Sequence, residues 1–173
     1  MGSFTYDLNP VPPNGYFNAL AKVIDSCQMN DKKPSWTHID LLVFLERNQA
    51  YIHKTLFKVD YGLAFILAQL DIAKKRLEYL HPKIILVSNT MARELLGKNK
   101  HTVKGEDLAV WMGFDFDAEL GTFRIVNNEH LEGTPVFFSS MLSGQRALDN
   151  VSKERLVWHM KEAFWLFFNL VFK

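Results

Sequence analysis

Four apolar runs in this chain end in residues whose side chains hydrogen-bond or carry charge. SFTYDL runs into Asn9-Pro10, IDLLVFL into Glu46-Arg47-Asn48-Gln49, and IILV into Ser88-Asn89. VFF runs into Ser139-Ser140-Met141-Leu142-Ser143-Gly144-Gln145-Arg146. Amides, hydroxyls and guanidinium groups can place a water, read the edge of a planar ligand and hold an anion, but they supply no evident nucleophile. Ligands of an open α/β sheet bind outside the carboxyl ends of its strands, so one crevice is expected to collect Asn9, Arg47, Asn89 and Arg146.

Other chemistries have weaker footing. The six histidines, at 38, 53, 81, 101, 130 and 159, lack ligand spacing such as His-Glu-x-x-His, so no metal is expected. Asp115, Asp117 and Glu119 have hard-cation chemistry, but their alternation with Phe114 and Phe116 more simply gives a strand with one wet face. Neither G-x-x-x-x-G-K nor G-x-G-x-x-G occurs, which disfavours a nucleotide cofactor, and no other organic cofactor is expected. The single cysteine, Cys27, reads as a small buried hydrophobe. With no leader-like N-terminus, it fits a reducing, cytoplasmic setting.

The elements that must position these residues follow from periodicity. A chain of 173 residues, 48% hydrophobic and 23% charged, is expected to form one domain over 1–173 with its own core. After the turn NPVPPNG, the spacing of Phe17, Leu20, Ala21, Ile24 and Cys27 predicts a helix over 16–27. A strand is expected at about 37–45. Leu63, Ile66, Leu67, Leu70, Ala73, Leu77 and Leu80 predict a helix over 63–80 that Pro82 stops. A strand over 84–87 follows, then a short helix capped by Thr90 and ended by Gly97. After a polar stretch, 98–107, TFRIVN and PVFFSS read as strands, and Ser152 is expected to cap a last helix. This order predicts a layered α/β domain.

At these residues the chain resembles the uracil-DNA glycosylase superfamily, and its mismatch-specific thymine/uracil branch in particular. Asn9-Pro10 with Gly15-Tyr16-Phe17 looks like that branch's first motif, G-I-N-P-G before a Gly-Asn-Arg-Phe-Trp stretch. HPKIILVSNTMARELLG is similar to its helix, apolar strand and short helix ending in Gly. PVFFSS followed by MLSGQRA looks like its second motif, approximately M-P-S-S-S-A-R or N-P-S-G-L-N. Leu8 and Val11 stand where the family has glycines, and no His-Pro-Ser follows the last strand, as in the thymine/uracil branch.

The resemblance implies a three-layer sandwich, with a central, mostly parallel sheet flanked by helices. It also implies a monofunctional DNA glycosylase that acts on a flipped base in duplex DNA. Asn9 would then orient the attacking water, unless Asn-Pro simply opens a turn. Tyr16 or Phe17 would stack on the base, although Phe17 also belongs to its helix's apolar stripe. Asp40 or Asn48 would read the base edge together with Asn89, and a carboxylate at 40 would accept from an amino group and turn preference away from uracil. Ser139, Ser140, Ser143, Gly144 and Gln145 would approach the DNA backbone. Met141 and Leu142 would form an apolar wedge, and Arg146 and Arg47 would meet phosphates or, for Arg146, fill the emptied stack. A turn with two half-buried apolar residues is the competing reading of this loop. The net charge of +1 confines any DNA affinity to such local contacts.

A catalytically inactive glycosylase-fold module that binds a nucleic acid, nucleotide or protein is the alternative function, and the missing motif glycines favour it. The apolar run AFWLFFNLVF near the C-terminus is too short to span a bilayer, which needs about 20 residues. It is expected first to be a buried helix and, as the alternative, a helix shared with a second subunit in a homodimer; no membrane partner is expected.

Overall fold

The computed structural model describes residues 15–28, 34–42, 55–96, 102–103, 106–107, 112–144 and 147–171. Helix α1 spans Gly15–Asp25, a 3-10 turn Leu56–Lys58 precedes α2 (Asp60–Leu80), and β1 (Ile85–Val87) leads into α3 (Thr90–Leu95). A two-strand ribbon, β2 (Thr102–Val103) and β3 (Glu106–Asp107), precedes β4 (Gly113–Asp117), β5 (Thr122–Val126), β6 (Pro135–Phe138) and α4 (Asn150–Val171).

The main sheet has the order β1-β6-β5-β4. Pairing is parallel between β1 and β6, with Val87 opposite Phe138, and antiparallel for β6–β5 and β5–β4. The described sheet is therefore mixed, where a mostly parallel one was expected. The reason lies in the connections: residues 118–121 and 127–134 are too short for the crossover that parallel neighbours need. At the first of these, Asp117 accepts the N–H groups of Glu119 and Leu120 at 2.9 and 2.8 Å, and Gly121 takes a positive φ of 65°.

Successive strand residues face opposite sides, and the core divides accordingly. Leu86 and Phe137 pack with Val23 of α1, Cys27 of the turn that follows it, and Met160 and Ala163 of α4. Ile85, Val87 and Val136 pack instead with Leu77 of α2 and Ala92 of α3. A third cluster joins Ile66 and Leu70 of α2 to Leu95 of α3 and to Leu41 and Leu42.

Helix α2 follows the expected period, with Gly62, Ile66, Leu70 and Ala73 buried. Leu67 and Leu80, expected on that stripe, are 45% and 36% exposed. Its first turn passes so close to the 3-10 turn that a Cβ on Gly62 would lie 1.9 Å from the Leu56 carbonyl oxygen. At its end His81, at φ 43°, donates its N–H to Leu77 O at 3.1 Å, just before Pro82.

Three further expectations change. Residues 34–42 form no strand, and among the described residues they have no ladder partner with which to close backbone hydrogen bonds; 43–45 lie outside the described residues. The cap of α3 is Asn89 instead of Thr90, since Asn89 Oδ1 accepts the Ala92 N–H at 3.2 Å. The cap of α4 is Asp149, whose carboxylate accepts the Ser152 N–H at 2.9 Å and the Ser152 hydroxyl at 2.7 Å.

Candidate functional site

Two strand exits converge. Because β1 and β6 are parallel neighbours, their carboxyl ends leave the sheet side by side, and the Ser139 N–H donates to Val87 O at 2.8 Å just beyond the ladder. This bond sets the Ser88-Asn89 exit against the start of the 139–144 loop. Asn89 is half-buried, and its cap bond engages the carbonyl end of the amide, which leaves the Nδ2 donor end as the group that can serve a ligand.

The loop after β6 has a defined backbone. Ser139 is buried and its hydroxyl donates to Ser140 O at 2.9 Å. Met141 O accepts the Leu148 N–H at 2.8 Å, and Gly144 O accepts the Ala147 N–H at 3.2 Å, which closes the loop at its base. Gly144 has φ 87°, yet a Cβ there would meet nothing within 4 Å; glycine serves the left-handed backbone, not a close approach. Leu142 is 4% exposed and packs on Val23, Cys27 and Phe137. Leu142 thus anchors the loop to the core, and Met141, half-buried, is the described apolar side chain left for a wedge. Ser140 and Ser143 are half-buried and Gly144 is exposed.

A second group assembles on the N-terminal side. The Phe17 ring, in the first turns of α1, meets the His38 imidazole edge to face at 4.8 Å, and His38 Nε2 lies 3.6 Å from Asp40 Oδ1. Phe17 and Asp40, two expected base-binding residues, are therefore bridged by His38, which has no such role in the sequence. The available signal was the i, i+2 spacing of His38 and Asp40, which puts both side chains on one side of an extended segment. Of the neighbouring residues, Leu41 belongs to the same cluster as Val87, and Val23 of α1 to the same cluster as Leu142.

Tyr16 belongs to α1, and its side chain lies outside the described set. Asn9, Arg47, Asn48, Gln145 and Arg146 lie outside the described residues. Two shallow depressions of about 210 and 200 Å³ occur elsewhere, one along β4 and β5 and one between β5, β6 and α4 beside His159.

Two other titratable groups, Cys27 and Asp117, have structural employment. Burial pushes the Cys27 thiol up to about 11, against a smaller opposing effect of Lys161. The thiol donates to Val23 O at 3.3 Å; it is the inert buried sulfur expected from the sequence. The Leu120 N–H, above all, holds the Asp117 carboxyl below the usual carboxylate range, helped by Arg124, with which it forms an ion pair, and by the Glu119 N–H. Asp117 is thereby committed to its turn. Among the described residues no group of three or more His, Cys, Asp or Glu is placed to hold a metal ion, and no helix is long and apolar enough to cross a membrane.

Compared with known protein families, curated proteins and solved structures, the chain matches none.

Proposed function

We propose that this chain is a DNA glycosylase that hydrolyses the N-glycosidic bond of a flipped uracil, mismatched or modified base, on a three-layer sandwich of the uracil-DNA glycosylase type. The observation that carries the reading is the parallel pairing of β1 and β6, which brings Asn89 and the loop from Ser139 to Gly144 to one edge. Helices packed on both faces of the sheet support the layering. A homodimer through α4 is proposed beside it and does not depend on it.

In this mechanism the Asn9 carbonyl orients a water against C1′ of the sugar. The C1′–N bond breaks with its electrons leaving on the base, the water's oxygen bonds to C1′, and the proton it gives up passes to solvent, from which the departed base takes one up. Charge that develops on the base is stabilised by hydrogen-bond donors such as Asn89 Nδ2, and no covalent enzyme intermediate is needed. An amide orients water without acting as a base, so the chemistry is slower than with an aspartate there. Tyr16 or Phe17 stacks on the extruded base, Asp40 or Asn48 reads its edge, and Met141 enters the duplex. Arg47, Arg146 and the backbone from Ser139 to Gly144 hold phosphates.

The test is strand nicking after alkali treatment of duplexes that carry uracil, thymine mismatches or modified bases. Cleavage of at least one class is expected. Asn9→Ala should lower its single-turnover rate about a hundredfold while DNA affinity stays nearly intact. Duplex binding without cleavage of any substrate would favour the inactive binding module to which Leu8 and Val11 point.

A further inference from the structure

Helix α4 presents an apolar stripe away from the fold. Val151, Trp158 and Trp165 are 57%, 63% and 53% exposed and lie seven residues apart, so they form one row about 21 Å long. The opposite side of the helix, with Met160 and Ala163, is buried against α1 and β6. The apolar run near the C-terminus is partly spent in that core, since Phe164 and Leu166 pack there. The outward face therefore begins further upstream than the sequence suggested.

Charged residues flank the row in a regular order. At 100° per residue, Arg155 and Glu162 fall on one side of Trp158, and Glu154 and Lys161 on the other. Each flank has one acidic and one basic residue. Such a surface attracts neither phosphates nor an anionic bilayer, but it is complementary to itself.

We propose that this face is a homodimer interface, occupied by α4 of a second copy running antiparallel about a two-fold axis at Trp158. That rotation sets Arg155 opposite the partner's Glu162 and Glu154 opposite the partner's Lys161, each twice. Val151 meets the partner's Trp165, and the two Trp158 rings meet at the axis. The antiparallel sense also aligns the helix dipoles favourably, which the parallel sense does not. Each tryptophan, little more than half exposed, offers roughly 90–150 Å², so the four rings together bury about 500 Å² and the interface with its flanks stays at the weak, small end. A concentration-dependent equilibrium follows. The interface deepens the homodimer reading and is independent of base excision.

Sedimentation equilibrium of the full chain over about 5–200 µM, the range suited to a weak complex, tests it. The wild type should populate dimer within that range. Trp158→Glu, at an exposed position, should weaken association at least tenfold without changing the far-ultraviolet circular dichroism. Arg155→Glu should weaken it several-fold, and Arg155→Glu with Glu162→Arg should restore it, which decides the matter even if the tryptophan variant misfolds. A monomer throughout the range would overturn the homodimer itself. A dimer undiminished by Trp158→Glu and indifferent to the charge exchange would leave the homodimer standing and remove this face.

Discussion

Ser139 and Val87 are joined by a 2.8 Å backbone hydrogen bond, N–H to carbonyl, one step beyond the parallel ladder of β1 and β6. The two chain segments that leave the sheet there, Ser88-Asn89 and Ser139 to Gly144, are consequently held at one place by backbone geometry, whatever their side chains do. Side-chain changes at this edge should therefore leave the strands in place, and under the proposed function they alter recognition.

Asn89 provides the sharpest case, because it caps α3 and also offers a donor at the strand exit. Asn89→Ala removes the cap and should cost about 1 kcal/mol in urea denaturation. Asn89→Asp caps equally well and should keep stability, yet it replaces the donor end by an oxygen. If Asn89 serves the base, Asn89→Asp should lower cleavage while denaturation stays near wild type; unchanged cleavage would restrict Asn89 to capping.

Asp40, in contact with His38 at 3.6 Å, accepts and does not donate. Asp40→Asn should move base preference towards uracil-like edges, since an amide supplies the donor that a carboxylate lacks. Phe17→Ala should weaken base stacking and free His38 from its edge contact, read as reduced enhancement of a fluorescent base analogue on flipping. Equal loss for every substrate in Asp40→Asn would mark Asp40 as structural.

Gly62 reverses an ordinary rule. Glycine to alanine inside a helix usually gains about 1 kcal/mol. At Gly62 the new methyl would stand 1.9 Å from Leu56 O and 2.8 Å from Val59 Cγ2, so α2 and the 3-10 turn must separate. Gly62→Ala should destabilise by roughly 1–3 kcal/mol in urea, the scale of overpacking.

Acid should act through Asp117 and Asp149. The Ser152 N–H and hydroxyl hold the Asp149 carboxyl low, and the Leu120 N–H, with Arg124, does so for Asp117. A carboxyl lowered in the folded state stabilises fully above its unfolded value, about 3.9, and that contribution is lost as pH falls through the lowered folded value. Thermal midpoints should therefore fall as pH drops below about 4. Asn is as good a cap as Asp, so Asp149→Asn should keep most of its stability at pH 7 and show a shallower decline in acid.

Much of the secondary structure was legible because it is written in periodicity. The 3.6-residue spacing of Ile66, Leu70 and Ala73 marked α2 and its buried face, and Pro82 marked its end. Ile84 to Val87, TFRIVN and PVFF stood out as β-branched or aromatic runs between turn signals, and all three contain observed strands. Cap identities were off by one residue at α3 and by three at α4, because Asn, Asp, Ser and Thr all cap helices and only backbone geometry says which does.

The sequence by itself determined which residues are apolar, at what period, and which polar residues follow the strands. These are properties of local order, where side-chain spacing and backbone preference act within a few residues. Tertiary structure alone decided which strands pair and in what sense: IDLL found no described ladder partner, and short connections made β4 to β6 antiparallel. It also decided that Leu142 is core, that His38 stands between Phe17 and Asp40, and that Trp158 faces outward. The burial of Leu142 against Val23 and the β1–β6 pairing depend on contacts between residues far apart in the chain. No local propensity can express a contact whose other half lies a hundred residues away.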